Sequence, residues 1–156
     1  MKRTKKLFVL ILFSAAATLL LTRCSKIEDT IAKFQDGINT ADYMKIASTL
    51  SAECEDYDAL KNNNWSGLKS AVILWNSSWS PLDFTGLDID ENSDSATVDC
   101  TMAADTGDFP ARFAMVKKTD FLSETWKIKK WWVDADGDGI GVSAFSNVLI
   151  QRLPAR

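Results

Sequence analysis

The chain has 156 residues, 46% of them hydrophobic and 25% charged, with seven Gly and three Pro; this globular composition excludes collagen-like and low-complexity polymers. Lys2, Arg3, Lys5, Lys6 and Arg23 precede residue 24 without an acid among them, so residues 24–156 hold 13 basic against 21 acidic side chains, a net charge of −8. An acidic body repels phosphate backbones and argues against nucleic acid as a partner, and the absence of His removes Ser-His, Cys-His and His–metal mechanisms together.

The first segment has the parts of an export signal. Lys2, Arg3, Lys5 and Lys6 form a basic start, and Leu7 to Leu21 is a 15-residue stretch of apolar and small residues without charge. A secretory signal wants an apolar run of about 7–15 residues, a spanning helix roughly 20. Leu21-Thr22-Arg23-Cys24 resembles the bacterial lipoprotein box, from which Arg23 departs, since Gly, Ala or Ser is usual there. Three readings follow: cleavage that leaves Cys24 as a lipidated N-terminus, cleavage at Ala15-Ala16-Ala17, or an uncleaved anchor favoured by Arg23. Each places the body outside the cytoplasm, and the lipoprotein reading makes the protein a membrane-anchored component of the bacterial envelope, periplasmic or surface-exposed. The expected division is a signal peptide over 1–23 and one domain over 24–156, with a core of about 27–133 and an extension over 134–156.

With Cys24 assigned to the anchor, Cys54 and Cys100 are an even pair in an oxidising compartment, which predicts a disulfide between them. Its loop closure would stabilise the fold by about 3–5 kcal/mol in the chain-entropy model. The alternative is two buried, inert thiols.

Ser25-Lys26-Ile27-Glu28 is a capping-box pattern, and Ile27, Ile31, Phe34 and Ile38 form one stripe of an amphipathic helix that Gly37 and Asn39-Thr40 punctuate. A second helix is expected from an Asn39 or Thr40 cap, with Asp42 in its first turn and Tyr43, Ile46, Ala47 and Leu50 inward. Residues 51–64 are polar and suit a short helical turn. Trp65, Leu68, Val72, Trp75 and Trp79 then recur at helical spacing up to Pro81. Beyond Pro81 the period becomes two. Phe84, Leu87 and Ile89 mark a strand with Gly86 as a bulge. Ala96, Val98, Cys100 and Met102 mark a second, Phe109, Ala111, Phe113 and Met115 a third, and residues 126–133 a fourth. Trp131 and Trp132 must face opposite sides of that last strand. In the tail, Ser143 is a candidate cap for Ala144, Phe145, Val148 and Leu149. Helices first and a meander second predict an α+β fold, N-terminal helices packed on a curved antiparallel β-sheet.

This order resembles the nuclear transport factor 2-like superfamily, the cystatin-like cone also called SnoaL-like or lumazine-binding-like. The matching residues are Asn39, Asp42, Ile46 and Leu50 at a helix-to-helix corner, Ala96-Thr97-Val98 on the middle strand, and Trp126-Lys127-Ile128 on a late strand. The resemblance spans about residues 27–133 and implies a cone cavity between the sheet and the helices. Phe34, Tyr43, Trp75, Phe113, Met115 and Trp126 are its candidate lining.

Enzymes of that family use Asp, His or Tyr groups inside the cone. No such constellation carries over: Asp99 falls on the outer face by alternation, and Asp83, Asp88 and Asp90 suit solvated acids. No catalytic residue and no cofactor are assigned. Asp134-Ala135-Asp136-Gly137-Asp138-Gly139 matches the first six positions of a calcium-binding EF-hand loop, yet Phe145 stands where the bidentate Glu belongs. Asp134, Asp136 and Asp138 are therefore either partial Ca²⁺ ligands or a polar turn. The reading as a whole is an exported, lipid-anchored, non-enzymatic binding domain for a small ligand or a protein partner, with the open sheet face available for a homodimer. Its alternatives are a small isomerase or hydrolase using a buried Asp, and a structural envelope lipoprotein.

Overall fold

A computed structural model describes residues 26–54, 57–120, 123–134 and 142–143. Among the described residues four helices, α1 (Ile27–Asn39), α2 (Tyr43–Ala47), α3 (Tyr57–Asn62) and α4 (Ser66–Trp79), precede five strands: β1 (Leu82–Glu91), β2 (Ser95–Ala104), β3 (Gly107–Asp120), β4 (Ser123–Val133) and β5 (Val142–Ser143). The strands pair antiparallel in the order β1-β2-β3-β4-β5, and the helices cover one face. The α+β architecture expected from the change of period is the one observed.

The stripe on α1 is buried as spaced, with Phe34 and Ile38 fully enclosed. Its start differs by one residue from the Ser25 pattern: Lys26 is the cap, and its N–H donates to Asp29 Oδ2 at 3.2 Å. The α1–α2 corner closes through Asp42 N–H to the Gly37 carbonyl (2.8 Å) and Ala41 N–H to the Ile38 carbonyl (3.1 Å), with Ala41 left-handed at φ 53°. This is a Schellman termination with alanine where glycine is preferred. Asp42 is the cap of α2 rather than a first-turn residue, accepting from Lys45 N–H at 3.0 Å. Gly37 lies within α1 and does not end it. A Cβ there would stand 2.6 Å from Ile46 Cγ1, so the glycine is what lets the two helices meet.

Trp65 does not belong to the helical stripe. Asn64 and Trp65 are left-handed (φ 49° and 60°), and Trp65 N–H donates to the Leu60 carbonyl at 2.7 Å, closing α3. The helix that follows begins only at Ser66, and Trp65 stays half-buried with its ring edge-on to Tyr57. From Leu68 on, the expected positions are buried.

In the sheet, Asp88 pairs with Asp99 and Thr85 with Thr101, so Gly86 and Leu87 together face Cys100. Gly86 has φ 63° and nothing near its missing Cβ, which makes it the glycine of a bulge, as expected. Each long edge is covered in part. Asn39 brackets Leu82, its Oδ1 accepting from the Leu82 N–H (2.9 Å) and its Nδ2 donating to the Leu82 carbonyl (2.8 Å), while Gln35 Oε1 accepts from Phe84 N–H (3.0 Å). On the other edge Ser51 N–H donates to the Ile128 carbonyl and Ile128 N–H to the Thr49 carbonyl, and β5 pairs with Trp132 and Val133. Side chains thus do for the start of β1 what backbone does for the Ile128 and Trp132–Val133 stretches of β4. Ser143 sits in β5; the helix expected after it lies outside the described residues.

Candidate functional site

Six rings meet between the layers. Trp131 lies 4.9 Å from Phe34, 5.3 Å from Trp75 and 6.1 Å from Phe113, centroid to centroid, and Phe84 is 5.0 Å from Phe113. Trp79 stacks on Trp75 at 6.4 Å and meets Trp131 edge-on. Most pairs cross near 80–90°, the edge-to-face geometry that adds about 0.5–1.5 kcal/mol beyond area burial. Phe34, Trp75, Phe113 and Met115, expected as cavity lining, are packing residues with 0–2% exposure. Tyr43 is half-buried at the edge of the same cluster. Periodicity had identified the inward face correctly, but large rings fill the space it encloses. Trp132, by contrast, is half-buried on the opposite face of β4, as alternation requires.

Of the expected lining, Trp126 is the residue that borders the two clefts flanking the start of α1. The larger, about 400 Å³, is lined by Lys26, Ile27, Glu28, Ile89, Glu91, Lys117, Glu124 and Trp126. Its floor is apolar and its rim charged. Lys117 Nζ sits 4.9 Å from the centre of the Trp126 ring and 3.6 Å from Glu91 Oε1, so one ammonium bridges a π face and a carboxylate. The smaller cleft, about 200 Å³, lies between α1 and β4 and is lined by Asp29, Thr30, Lys33, Ser48, Thr49, Thr125, Trp126 and Lys127. There Thr30 Oγ1 donates to the Trp126 carbonyl (3.1 Å), and Lys127 Nζ donates to the Ser48 carbonyl (2.5 Å). Burial, and then the neighbouring Lys33, push the Lys127 ammonium below the usual lysine range, with Asp120 pulling the other way.

The remaining candidates are dispersed. Asp99 pairs with Arg112 on the outer face through Oδ1–Nε (2.5 Å) and Oδ2–Nη2 (3.0 Å), and Asp83, Asp88 and Asp90 are exposed. The buried polar side chains among the described residues are Thr30, Thr49 and Ser51, so a buried Asp has no described residue to supply it. Asp134 follows β4, its N–H donating to the Pro110 carbonyl at 2.9 Å; Asp136 and Asp138 lie outside the described residues, as does Cys24. No group of three His, Cys, Asp or Glu suited to a metal occurs among the described residues.

Cys54 and Cys100 are not joined to each other; both are thiols. Ser51 pairs with Ile128 beyond the free edge of β4, and Glu53 next to Cys54 reaches Lys118 and Lys129. Cys100 lies on β2, two strands across from Ile128 and four residues along from Ala96, which shares its row. That is roughly 10 Å across and 13 Å along, whereas a disulfide needs Cα atoms within about 7 Å. Burial, and then the Asp99 carboxylate, push the Cys100 thiol up to about 12.

Lys33, Lys117 and Lys127 are the site residues that sequence reading passed over. The signal for Lys127 is its place between Trp126 and Ile128 on an edge strand, from which a lysine can fold its ammonium around that edge.

No family model and no curated protein matches the chain. Partial likenesses occur among solved structures. One is a protein of unknown function with a cystatin-like fold from Nostoc punctiforme (11% identity, 65% of this chain and 87% of that one, TM-score 0.45). A second is a variant of a protein of unknown function from Mycobacterium tuberculosis (14%, 69% and 68%, 0.47), and a third a nuclear transport factor 2-like protein of unknown function from Cytophaga hutchinsonii (8%, 70% and 90%, 0.36). None of them bears on what this chain binds.

Proposed function

We propose that the chain is an exported, lipid-anchored, non-enzymatic binding domain of the bacterial envelope, which takes a small ligand or a partner's side chain in the 400 Å³ cleft at the start of α1. The observation that carries the reading is the Trp126–Lys117–Glu91 arrangement: an aromatic floor, a cation over its face and a carboxylate rim in the larger of the two clefts beside a ring-packed interior. Ligand sites combine apolar walls with a few oriented polar groups in this way. The anchor rests on the basic start, the apolar run over residues 7–21 and Leu21-Thr22-Arg23-Cys24. Lys26, which lines the cleft, stands two residues after Cys24, so a lipid there would hold the cleft within several ångströms of the membrane surface.

Two measurements test this. Labelling with a palmitate analogue in a bacterial host is expected to mark the wild type and not Cys24→Ser; equal labelling removes the anchor. Native mass spectrometry of the full chain extracted in neutral detergent is expected to show a bound species that Lys117→Met releases. A wild type carrying no bound mass, or one that Lys117→Met retains, removes the cleft as its site.

A further inference from the structure

Two lysines that share the smaller cleft lack the carboxylate partner that several other lysines have. Lys45, Lys117, Lys118 and Lys129 each meet a carboxylate: Asp36, Glu91 and, for the last two, Glu53. Lys33 and Lys127 line one 200 Å³ cleft, and neither makes an ion pair with a described residue. Asp29, the one carboxylate of the lining, is engaged by the Lys26 N–H and leaves the cleft net positive. The hydroxyls of Thr30, Thr49 and Ser48 donate to the Trp126, Ile46 and Lys45 carbonyls, which turns their donors away from the space and fixes the walls. Lys127 uses one of its three N–H groups on the Ser48 carbonyl, so two are left, and Lys33 makes no described hydrogen bond. The positive end of the α1 dipole lies on the same side.

We propose that this cleft is an oxyanion site, taking one phosphate or carboxylate group between the ammonium groups of Lys33 and Lys127. Such a group completes the hydrogen bonding of two ammoniums that now repel each other, and charge-assisted contacts of this kind are the strong ones. Burial is the larger cause of the lowered affinity of Lys127 for its proton and repulsion from Lys33 the second, and an anion between the two ammoniums relieves the second. The oxyanion belongs either to a soluble metabolite or to a lipid headgroup. The proposal is independent of the larger cleft.

The test is a titration of the full chain in neutral detergent with inorganic phosphate and with acetate at constant ionic strength, read by amide NMR. Saturable shifts are expected at Thr49, Thr125 and Lys127, weakened about tenfold in Lys33→Met and in Lys127→Met, and unchanged in Lys69→Met. Lys33→Met carries the decision, because it removes no described hydrogen bond, whereas Lys127→Met also strips the Ser48 carbonyl of a donor. Shifts that grow linearly with salt, or that Lys33→Met retains, overturn the site. Flotation with phosphatidylglycerol or phosphatidylcholine vesicles separates the sources: binding that needs the anionic lipid and Lys33 assigns a headgroup, and phosphate binding without flotation assigns a soluble ligand. Loss of the signal at this cleft leaves the Lys117→Met experiment unaffected.

Discussion

Gly37→Ala sets two physical effects against each other. By propensity alone, alanine inside a helix is favoured over glycine by about 1 kcal/mol. The structure opposes this, since the new Cβ would stand 2.6 Å from Ile46 Cγ1, 3.2 Å from the Asp42 carbonyl oxygen and 3.2 Å from Ile46 N. Two of those atoms are backbone, held by the Asp42-to-Gly37 bond at 2.8 Å and by the Asp42 cap on Lys45, so they cannot yield separately. Overpacking of this kind costs about 1–3 kcal/mol. The net expectation is a loss of up to about 2 kcal/mol, or up to roughly 8 °C in Tm for a domain of this size. Urea unfolding of the purified protein followed by circular dichroism measures it. Combining the change with Ile46→Ala, which deletes the nearest atom, should cost less than the sum of the two single changes. A Gly37→Ala protein more stable than wild type would refute the close approach of α1 and α2.

Asn39→Ala removes both bonds to Leu82 and should cost about 2–3 kcal/mol, against about 1 kcal/mol for Gln35→Ala, which removes one bond to Phe84; denaturant midpoints check the order. Ala41→Gly should stabilise by about 0.5–1 kcal/mol, because relief of the left-handed strain exceeds the entropy glycine adds to the unfolded chain; a lower melting temperature counts against the Schellman corner. Alkylation of denatured, non-reduced protein should label both Cys54 and Cys100; mutual protection would restore the disulfide. In the folded protein the Cys100 thiol, raised to about 12, should contribute stability that is complete below the ordinary thiol range and is lost as pH climbs towards 12. Cys100→Ser should therefore flatten the fall in stability between about pH 9 and 11.

What could be read ahead of the coordinates was whatever depends on period and on single-residue conformation. Ile31, Phe34, Ile38, Leu68, Val72 and Trp75 face inward because a helix repeats every 3.6 residues, and Val98, Met102, Phe113 and Met115 do so because a strand repeats every two. Gly86 was visible as a bulge because few other residues take φ 63° at ease. Three things were not legible. Trp65 fits the spacing of α4, but the Asn64–Trp65 turn that closes α3 takes its backbone. Counting cysteines carries no distance, and the separation of Cys54 from Cys100 is fixed by strand order. Direction also says nothing about volume: knowing that Phe34 and Trp75 point inward does not tell whether their rings leave a gap.

That last point determines where chemistry can occur. The same two layers with small inward residues would leave room for a ligand between sheet and helices. Here Trp131, enclosed by Phe34, Trp75, Trp79 and Phe113, fills that place and couples α1 and α4 to β3 and β4. A rigid, ring-packed interior makes a poor pocket and a good support. It fixes Trp126 and Lys127 on β4 relative to Thr30 and Lys33 on α1, and the Thr30-to-Trp126 bond locks the two elements where the clefts open. The floor shared by both clefts is thus set by the core, while the charged side chains around it remain accessible to solvent. Recognition at the rim then depends on Lys33, Lys117, Lys127 and Glu91, residues whose substitution leaves the ring cluster intact, which is why binding and stability should be separable in this protein by single changes.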